Sequence, residues 1–393
     1  MIPCCLRGDM RILWALNALS RPLKTPYFNH THLEIRMTPY TELVTDASAW
    51  KPEDLERDQS WKFELNDTHR NELAEALKQV NDRDLHFARI KKEDFPLPTL
   101  ANTLKEILHE LRDGRGFAFL SGMPTDEYEY GDLEKLYWGM CTHLGIAVTQ
   151  NSEAGLIHYI TDGELRPQDG ARILGKPGIV KLHVDLSDCA GLFCVRQAPD
   201  DPPSLVASSM TVYNEILRQH PEYLPRLYEG FPWNRKGPYP NEEPPSSYFN
   251  IPAYSAADGV VTCRFHPGWI RAGMGAVGQS LTEAETEMFD FIAEVSLANS
   301  FEYGFHKGDI AWVNNYTVFH GRAAFKPVEA ESERRLLFRL WLDLPDVRPF
   351  SDEGSVRYGA VRHGKMGWTA DEMLAGKHLE PHPRREDGVP EVS

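Results

Sequence analysis

The stretch Ile179-Val180-Lys181-Leu182-His183-Val184-Asp185-Leu186-Ser187 decides how the chain reads. Its apolar residues mark a strand, and residues two apart in a strand project from one face, so His183 and Asp185 point the same way. An imidazole and a carboxylate so placed bind a divalent metal if a third ligand arrives from elsewhere. The best source is Val318-Phe319-His320-Gly321-Arg322, so far downstream that only folding brings His320 to the pair. Two His and one carboxylate on one face of an ion leave three positions open, the donor set of non-heme iron(II) oxygenases. An isolated His-x-Asp is common, and His320 alone reads more readily as a structural histidine than as a ligand. The rest of the chain decides.

With 393 residues, 41% of them hydrophobic, the chain has ample material for a core in one or two domains. A formal charge of -16 argues against nucleic acid or an anionic membrane surface as partner. Cys4, Cys5, Cys141, Cys189, Cys194 and Cys263 form no Cys-x-x-Cys pair, so neither a disulfide framework nor a zinc ribbon is indicated, and a reducing, cytoplasmic setting fits. No apolar run approaches the roughly 18 residues of a membrane span. Residues 1–36 carry Arg7, Arg11, Arg21, Lys24 and Arg36 and an apolar run, Ile12 to Leu19, broken by Asn17. They read as a loosely attached extension or a weak targeting segment, with ordered sequence beginning near Met37. Residues 37–393 then form a single catalytic domain, helical to about residue 150, with a strand-rich core over about 115–345 and a C-terminal tail. The partner expected is a small molecule; a homo-oligomer is left open.

Helical spacing predicts helices through Leu73, Ala76, Leu77 and Val80, capped at Asp67 or Thr68; through Leu100, Leu104, Ile107, Leu108 and Leu111, stopped by Gly114; and through Leu133, Leu136, Tyr137, Met140 and Leu144. Gly116 to Leu120 reads as a strand. After residue 178 strands dominate, over 179–186, 192–198, 204–210, 260–265, 301–305, 310–313 and 335–342, with Asp258-Gly259 and Gly308-Asp309 as turn dipeptides. Thr282 to Glu285 is a capping box opening a further helix through Met288, Phe289, Ile292 and Val295. The Pro-, Asn- and Ser-rich stretch 232–252 reads as a long loop. Helices followed by many short strands imply a mainly β fold, a sandwich or jelly roll with flanking helices. No Gly-rich phosphate loop is present.

Arg335 and Arg339 lie four apart in a strand, so they share a face with Leu337 and Trp341. Two guanidiniums among apolar side chains are costly without anionic partners. Either they pair with Asp or Glu of the chain, or they receive carboxylates from a ligand, for which the fork of Arg is suited.

Taken together, His183-Val184-Asp185, Asn315 with His320 five residues on, His320-Gly321-Arg322, and the Arg335/Arg339 strand resemble the TauD/TfdA family of Fe(II)- and 2-oxoglutarate-dependent dioxygenases over roughly residues 95–345. Segments around 116–124, 211–215 and Asn314-Asn315 look most like fungal members. The resemblance implies a double-stranded β-helix (jelly-roll) core, with His183, Asp185 and His320 as iron ligands. Arg335, fifteen residues after the distal His, would pair with the C5 carboxylate of 2-oxoglutarate, helped by the Ser204 hydroxyl, and Arg339 would meet an acidic group of the primary substrate. The chain departs from the family at Asp201-Pro202-Pro203, where Gly-Gly is usual, and at Asn314-Asn315-Tyr316, where Asp-Asn-Arg is usual. The implied chemistry uses O2 and 2-oxoglutarate to oxidise a small anionic or zwitterionic metabolite, an amino acid or a natural-product intermediate, by hydroxylation, desaturation or ring closure. A carboxylate at Asp185 speaks against halogenation, for which relatives keep a small residue there. Trp312, Phe319, Phe338 and Trp341 are available to keep the pocket dry, core packing being the more ordinary role for any one of them, and Gln150, Asn151, His158 and Tyr159 could reach it, against solvated or structural roles that are commoner for such residues. The alternative is a jelly-roll protein using a metal hydrolytically or as a binding module; Arg335 has no purpose in a hydrolase.

Overall fold

The computed structural model describes residues 38–150, 155–161, 178–234, 246–247, 250–348 and 367–377. All of these fall in one unit, Met37–Ser393. The expectations for residues 1–36, for Asn151, for most of the 232–252 loop and for much of the C-terminal tail lie outside the described residues.

In chain order the elements are α1 (Pro52–Arg57), β1 (Lys62–Glu64), α2 (Asp67–Asp82), α3 (Leu100–Arg112), β2 (Phe117–Ser121), α4 (Tyr130–Cys141), β3 (Ile146–Val148), β4 (Ile157–Ile160), β5 (Val180–His183), β6 (Cys189–Arg196) and β7 (Ser204–Ser208). There follow α5 (Ser209–Gln219), α6 (Leu224–Glu229), β8 (Tyr254–Ala257), β9 (Val260–Cys263), α7 (Pro267–Ala276), α8 (Glu283–Ala298), β10 (Ser300–Tyr303), β11 (Ile310–Asn314), β12 (Val318–Arg322), β13 (Leu336–Asp343) and α9 (Ala370–Leu374).

A seven-stranded sheet runs β1-β2-β11-β6-β13-β3, with β4 also paired to β13, and a four-stranded sheet runs β10-β7-β12-β5. Period-two alternation assigns each strand's faces. In β11, Ala311 and Val313 join the core shared by the two sheets, while Ile310 and Trp312 join the core formed with α2, α3 and α4. In β13, Leu337 and Trp341 turn to the inter-sheet side, and Leu336, Phe338, Leu340 and Leu342 to the helices. Trp312 and Phe338 are therefore helix-side core, the commoner role for such residues, and do not line the cavity. This two-sheet arrangement is the jelly roll expected from the sequence.

Between β7 and β10 the chain leaves the sheet, and α5 and α8 pack on the four-stranded layer. The strand expected over 204–210 stops at Ser208 because its hydroxyl accepts the Thr211 N–H and caps α5. The α2 cap is Asn66, one residue earlier than expected, accepting from His69 N–H. Thr282 and Glu285 form the expected capping box of α8. Asp258 and Gly259 both take positive φ (52° and 78°), closing the β8–β9 hairpin. Gly308-Asp309 instead turns a corner, since β10 and β11 belong to different sheets. Among the described residues no helix is long and apolar enough to cross a membrane.

Candidate metal centre

Strands β5 and β12 pair antiparallel with His183 directly opposite His320, which is how the fold joins residues so distant in sequence. The register slips between His320 and Arg322, and Gly321 sits at that slip. A Cβ there would lie 2.6 Å from the Val180 carbonyl oxygen, so glycine lets the two strands approach. The strand expected over 179–186 ends at His183. Val184 N–H donates to Phe265 O at 3.1 Å and Asp185 N–H to Asn315 Oδ1 at 2.9 Å. Asp185 thus enters the cavity from an irregular segment pinned by Asn315, not by strand alternation. Asn315 Nδ2 in turn donates to the Ser187 carbonyl at 3.1 Å, so its side chain bridges the segment on both sides.

Each of His183, Asp185 and His320 offers a ligand atom, and these lie within 4.8 Å of one another. No other such group of His, Cys, Asp or Glu occurs among the described residues. His183 Nδ1 lies 2.7 Å from the Lys181 carbonyl and donates to it, which leaves Nε2 as the lone-pair nitrogen facing Asp185. Burial, with the nearby His183, lowers the His320 pKa to about 3 against the opposing pull of Asp185, so the ring is neutral and able to ligate at ordinary pH. Burial works to raise the Asp185 pKa, but Arg339, then His320 and His183, and the Trp341 hydrogen bond hold it well below the usual carboxylate range. Two imidazoles and one carboxylate suit a divalent iron. The donor set fits the metal that the sequence implies.

The three residues line a cavity of about 150 Å³ together with Ser204, Tyr303, Arg322, Arg335, Leu337 and Arg339. Arg335 and Arg339 therefore share a face, as the strand period required. Arg335 is buried, and its Nε donates to Gln197 Oε1 at 2.8 Å. Ser204 is the register partner of both Tyr303 and Arg322, and its hydroxyl hydrogen-bonds the Tyr303 phenol. Arg339 forms an ion pair with Asp185 at 3.0 Å.

Sequence reasoning did not single out Gln197, Tyr303 or Arg264. Tyr303 had a signal in the strand period of β10; Gln197 had none. His266 packs its ring 4.6 Å from that of His183 and caps α7. His158 pairs with Arg339 across β4 and β13, while Tyr159 joins the helix-side core. Where the family usually has Asp-Asn-Arg, Tyr316 donates to Asp188 and accepts from Arg264 Nη2 at 2.9 Å.

Residues 81–341 match the family described as "Taurine catabolism dioxygenase TauD, TfdA family". The chain is 28% identical over 315 residues to FR-33289 synthase of Streptomyces rubellomurinus, covering 78% of this chain and 92% of that protein. It is 24% identical over 312 residues to the taurine hydroxylase-like protein SAT17 of Stachybotrys chartarum, covering 76% and 79%. Among solved structures, asparagine oxygenase in complex with Fe(II), 2S,3S-3-hydroxyasparagine and succinate is similar in fold, with a TM-score of 0.54 at 14% identity over 72% of this chain and 93% of that one. The non-heme iron oxygenase OrfP in complex with Fe, succinate and (3S)-hydroxy-L-Arg gives 0.53 at 16% identity over 72% and 94%.

Proposed function

Because the chain belongs to the TauD/TfdA dioxygenase family, we propose that it uses iron(II), 2-oxoglutarate and O2 to oxidise a small anionic or zwitterionic metabolite. The observation that carries the reading is the convergence of His183, Asp185 and His320 on one cavity whose walls also hold Arg335 and Ser204. When bound, the iron supplies open positions at which the 2-oxo acid and O2 meet, and the oxidative decarboxylation that follows drives oxidation of the substrate.

The chain's own residues do the remaining work. His183 and His320 are imidazole donors, and Asp185 brings one negative charge. Arg335 receives the far carboxylate of 2-oxoglutarate, its guanidinium plane set by Gln197, while Ser204 adds a hydroxyl beside it. Leu337, Leu192 and Ala311 supply the apolar wall that limits water at the reacting centre. Two proteins of similar fold are an asparagine oxygenase and an oxygenase solved with (3S)-hydroxy-L-Arg, which supports a screen of amino acids and derived acids as substrates. The experiment is that screen, read as substrate-stimulated release of succinate by the iron-loaded protein. Stimulation by one such acid is the expected result. Stimulation only by uncharged or cationic compounds would refute the substrate class.

A further inference from the structure

Asp185 has two oxygens that could both swing toward a metal, and the surrounding chain treats them differently. Oδ2 accepts from Arg339 Nη1 at 3.0 Å and from Trp341 Nε1 at 3.0 Å. Two donors occupy that oxygen's lone pairs. Among the described residues no donor reaches Oδ1, which lies 3.9 Å from His183 Nε2, while the tied Oδ2 lies 3.8 Å from His320 Nε2.

We propose that Arg339 and Trp341, the former held by Gln150, are positioning residues that fix Asp185 as a one-oxygen ligand. This rests on reading His183, Asp185 and His320 as the metal ligands. Arg339 and Trp341 are alternate residues of β13, so both reach the cavity face, and the guanidinium lies 5.0 Å from the indole centroid. Gln150 is buried. Its Nε2 donates to the carbonyls of Leu156 at 2.9 Å and Arg339 at 2.8 Å, which sets the direction of the amide. Its Oε1 then accepts Arg339 Nε at 2.8 Å. Two donors of Arg339 are thus committed to Gln150 and Asp185. A carboxylate tied at Oδ2 keeps one coordination position from being closed by its second oxygen, the position that a bidentate 2-oxo acid and O2 need.

The test is titration of Co(II), a coloured stand-in for iron(II), into the full-length protein without any 2-oxo acid or substrate. Wild type, Asp185→Ala, Trp341→Phe, Arg339→Met, Arg339→Lys and Gln150→Met are compared, with far-UV circular dichroism to check folding. Trp341→Phe keeps the aromatic packing and removes the donor. It should weaken Co(II) about tenfold, in line with the effect of partners that orient metal ligands. Its visible spectrum should change as Oδ2 swings in. Arg339→Met should lose as much and Arg339→Lys less, with Gln150→Met weakening Co(II) by about threefold as the Arg339 fork loosens. If folded Trp341→Phe and Arg339→Met bind Co(II) within twofold of wild type with its spectrum, the proposal falls and the ligand reading stands. If Trp341→Phe does not fold, Arg339→Met and Gln150→Met decide by the same criterion. If Asp185→Ala binds as wild type does, the ligand reading falls and the proposal with it.

Discussion

Replacing Gly321 with alanine tests how the two histidines are brought together. The added Cβ would sit 2.6 Å from the Val180 carbonyl oxygen and 3.3 Å from the Leu182 nitrogen, both backbone atoms of β5. Ordinary contact begins near 3.4 Å, so β5 must retreat from β12 by roughly 0.8 Å. His183 and His320 are register partners on those two strands, so the retreat spreads the ligand atoms. Metal–ligand distances tolerate only about 0.2 Å, so the protein must either keep the gap and lose metal or close it under strain. Overpacking of this kind costs about 1–3 kcal/mol, which as lost affinity is roughly 5- to 150-fold. The assay is anaerobic competition between the protein and a chelator for iron(II), with a thermal melt of the metal-free protein. Gly275→Ala is the control: nothing lies within 4 Å of its added Cβ, and it removes a glycine from α7. An iron affinity for Gly321→Ala equal to wild type would refute the argument that strand approach sets the ligand geometry.

Other outcomes follow from the same contacts. Arg335→Ala should weaken 2-oxoglutarate by about 10- to 100-fold, the worth of hydrogen bonds to a charged group, while changing iron affinity little; equal weakening of both by calorimetry would count against its role. Asn315→Leu leaves the buried Asp185 N–H without its acceptor and should cost about 1–3 kcal/mol in urea unfolding. A stability unchanged from wild type would show that the segment holds itself. Burial, against a small opposing effect of Lys135, raises the half-buried Glu134 carboxyl from 4.5 to about 7. The folded state therefore keeps a proton that the unfolded chain releases above pH 4.5, and stability falls as pH rises from there to about 7. Glu134→Gln should remove this loss, gaining on the order of 1 kcal/mol at pH 8 after discounting for solvent screening, and nothing at pH 4. A gain of equal size at both pH values would contradict the assignment.

What could be read from the sequence was whatever one strand period or one local motif determines. The shared face of Arg335 and Arg339, the capping box at Thr282 and the Asp258-Gly259 hairpin are local, and each stands where its pattern put it. His320 was nominated as partner of His183 by residue type and supported by family likeness, but their register was not legible, because no local rule gives the register of strands so far apart. Asp185 was expected from alternation, yet reaches the cavity because Asn315 and Phe265 hold an irregular segment. For Trp312 and Phe338 the sequence left core and pocket both open, because a strand with apolar side chains on both faces does not announce which side meets the cavity. Gln150 and Gln197 act through hydrogen bonds to single arginines, and nothing in their neighbours in sequence points to that.

The assignment of His183, Asp185 and His320 as the residues that hold the iron at which 2-oxoglutarate binds carries everything else. Its most direct test is addition of iron(II) and 2-oxoglutarate to the protein under anaerobic conditions, following the metal-to-ligand charge-transfer absorption. Wild type should develop that band at one iron per chain, with His183→Ala and His320→Ala losing it and His158→Ala keeping it. A well-folded wild type with no band, or a band that survives in His320→Ala, would contradict the claim.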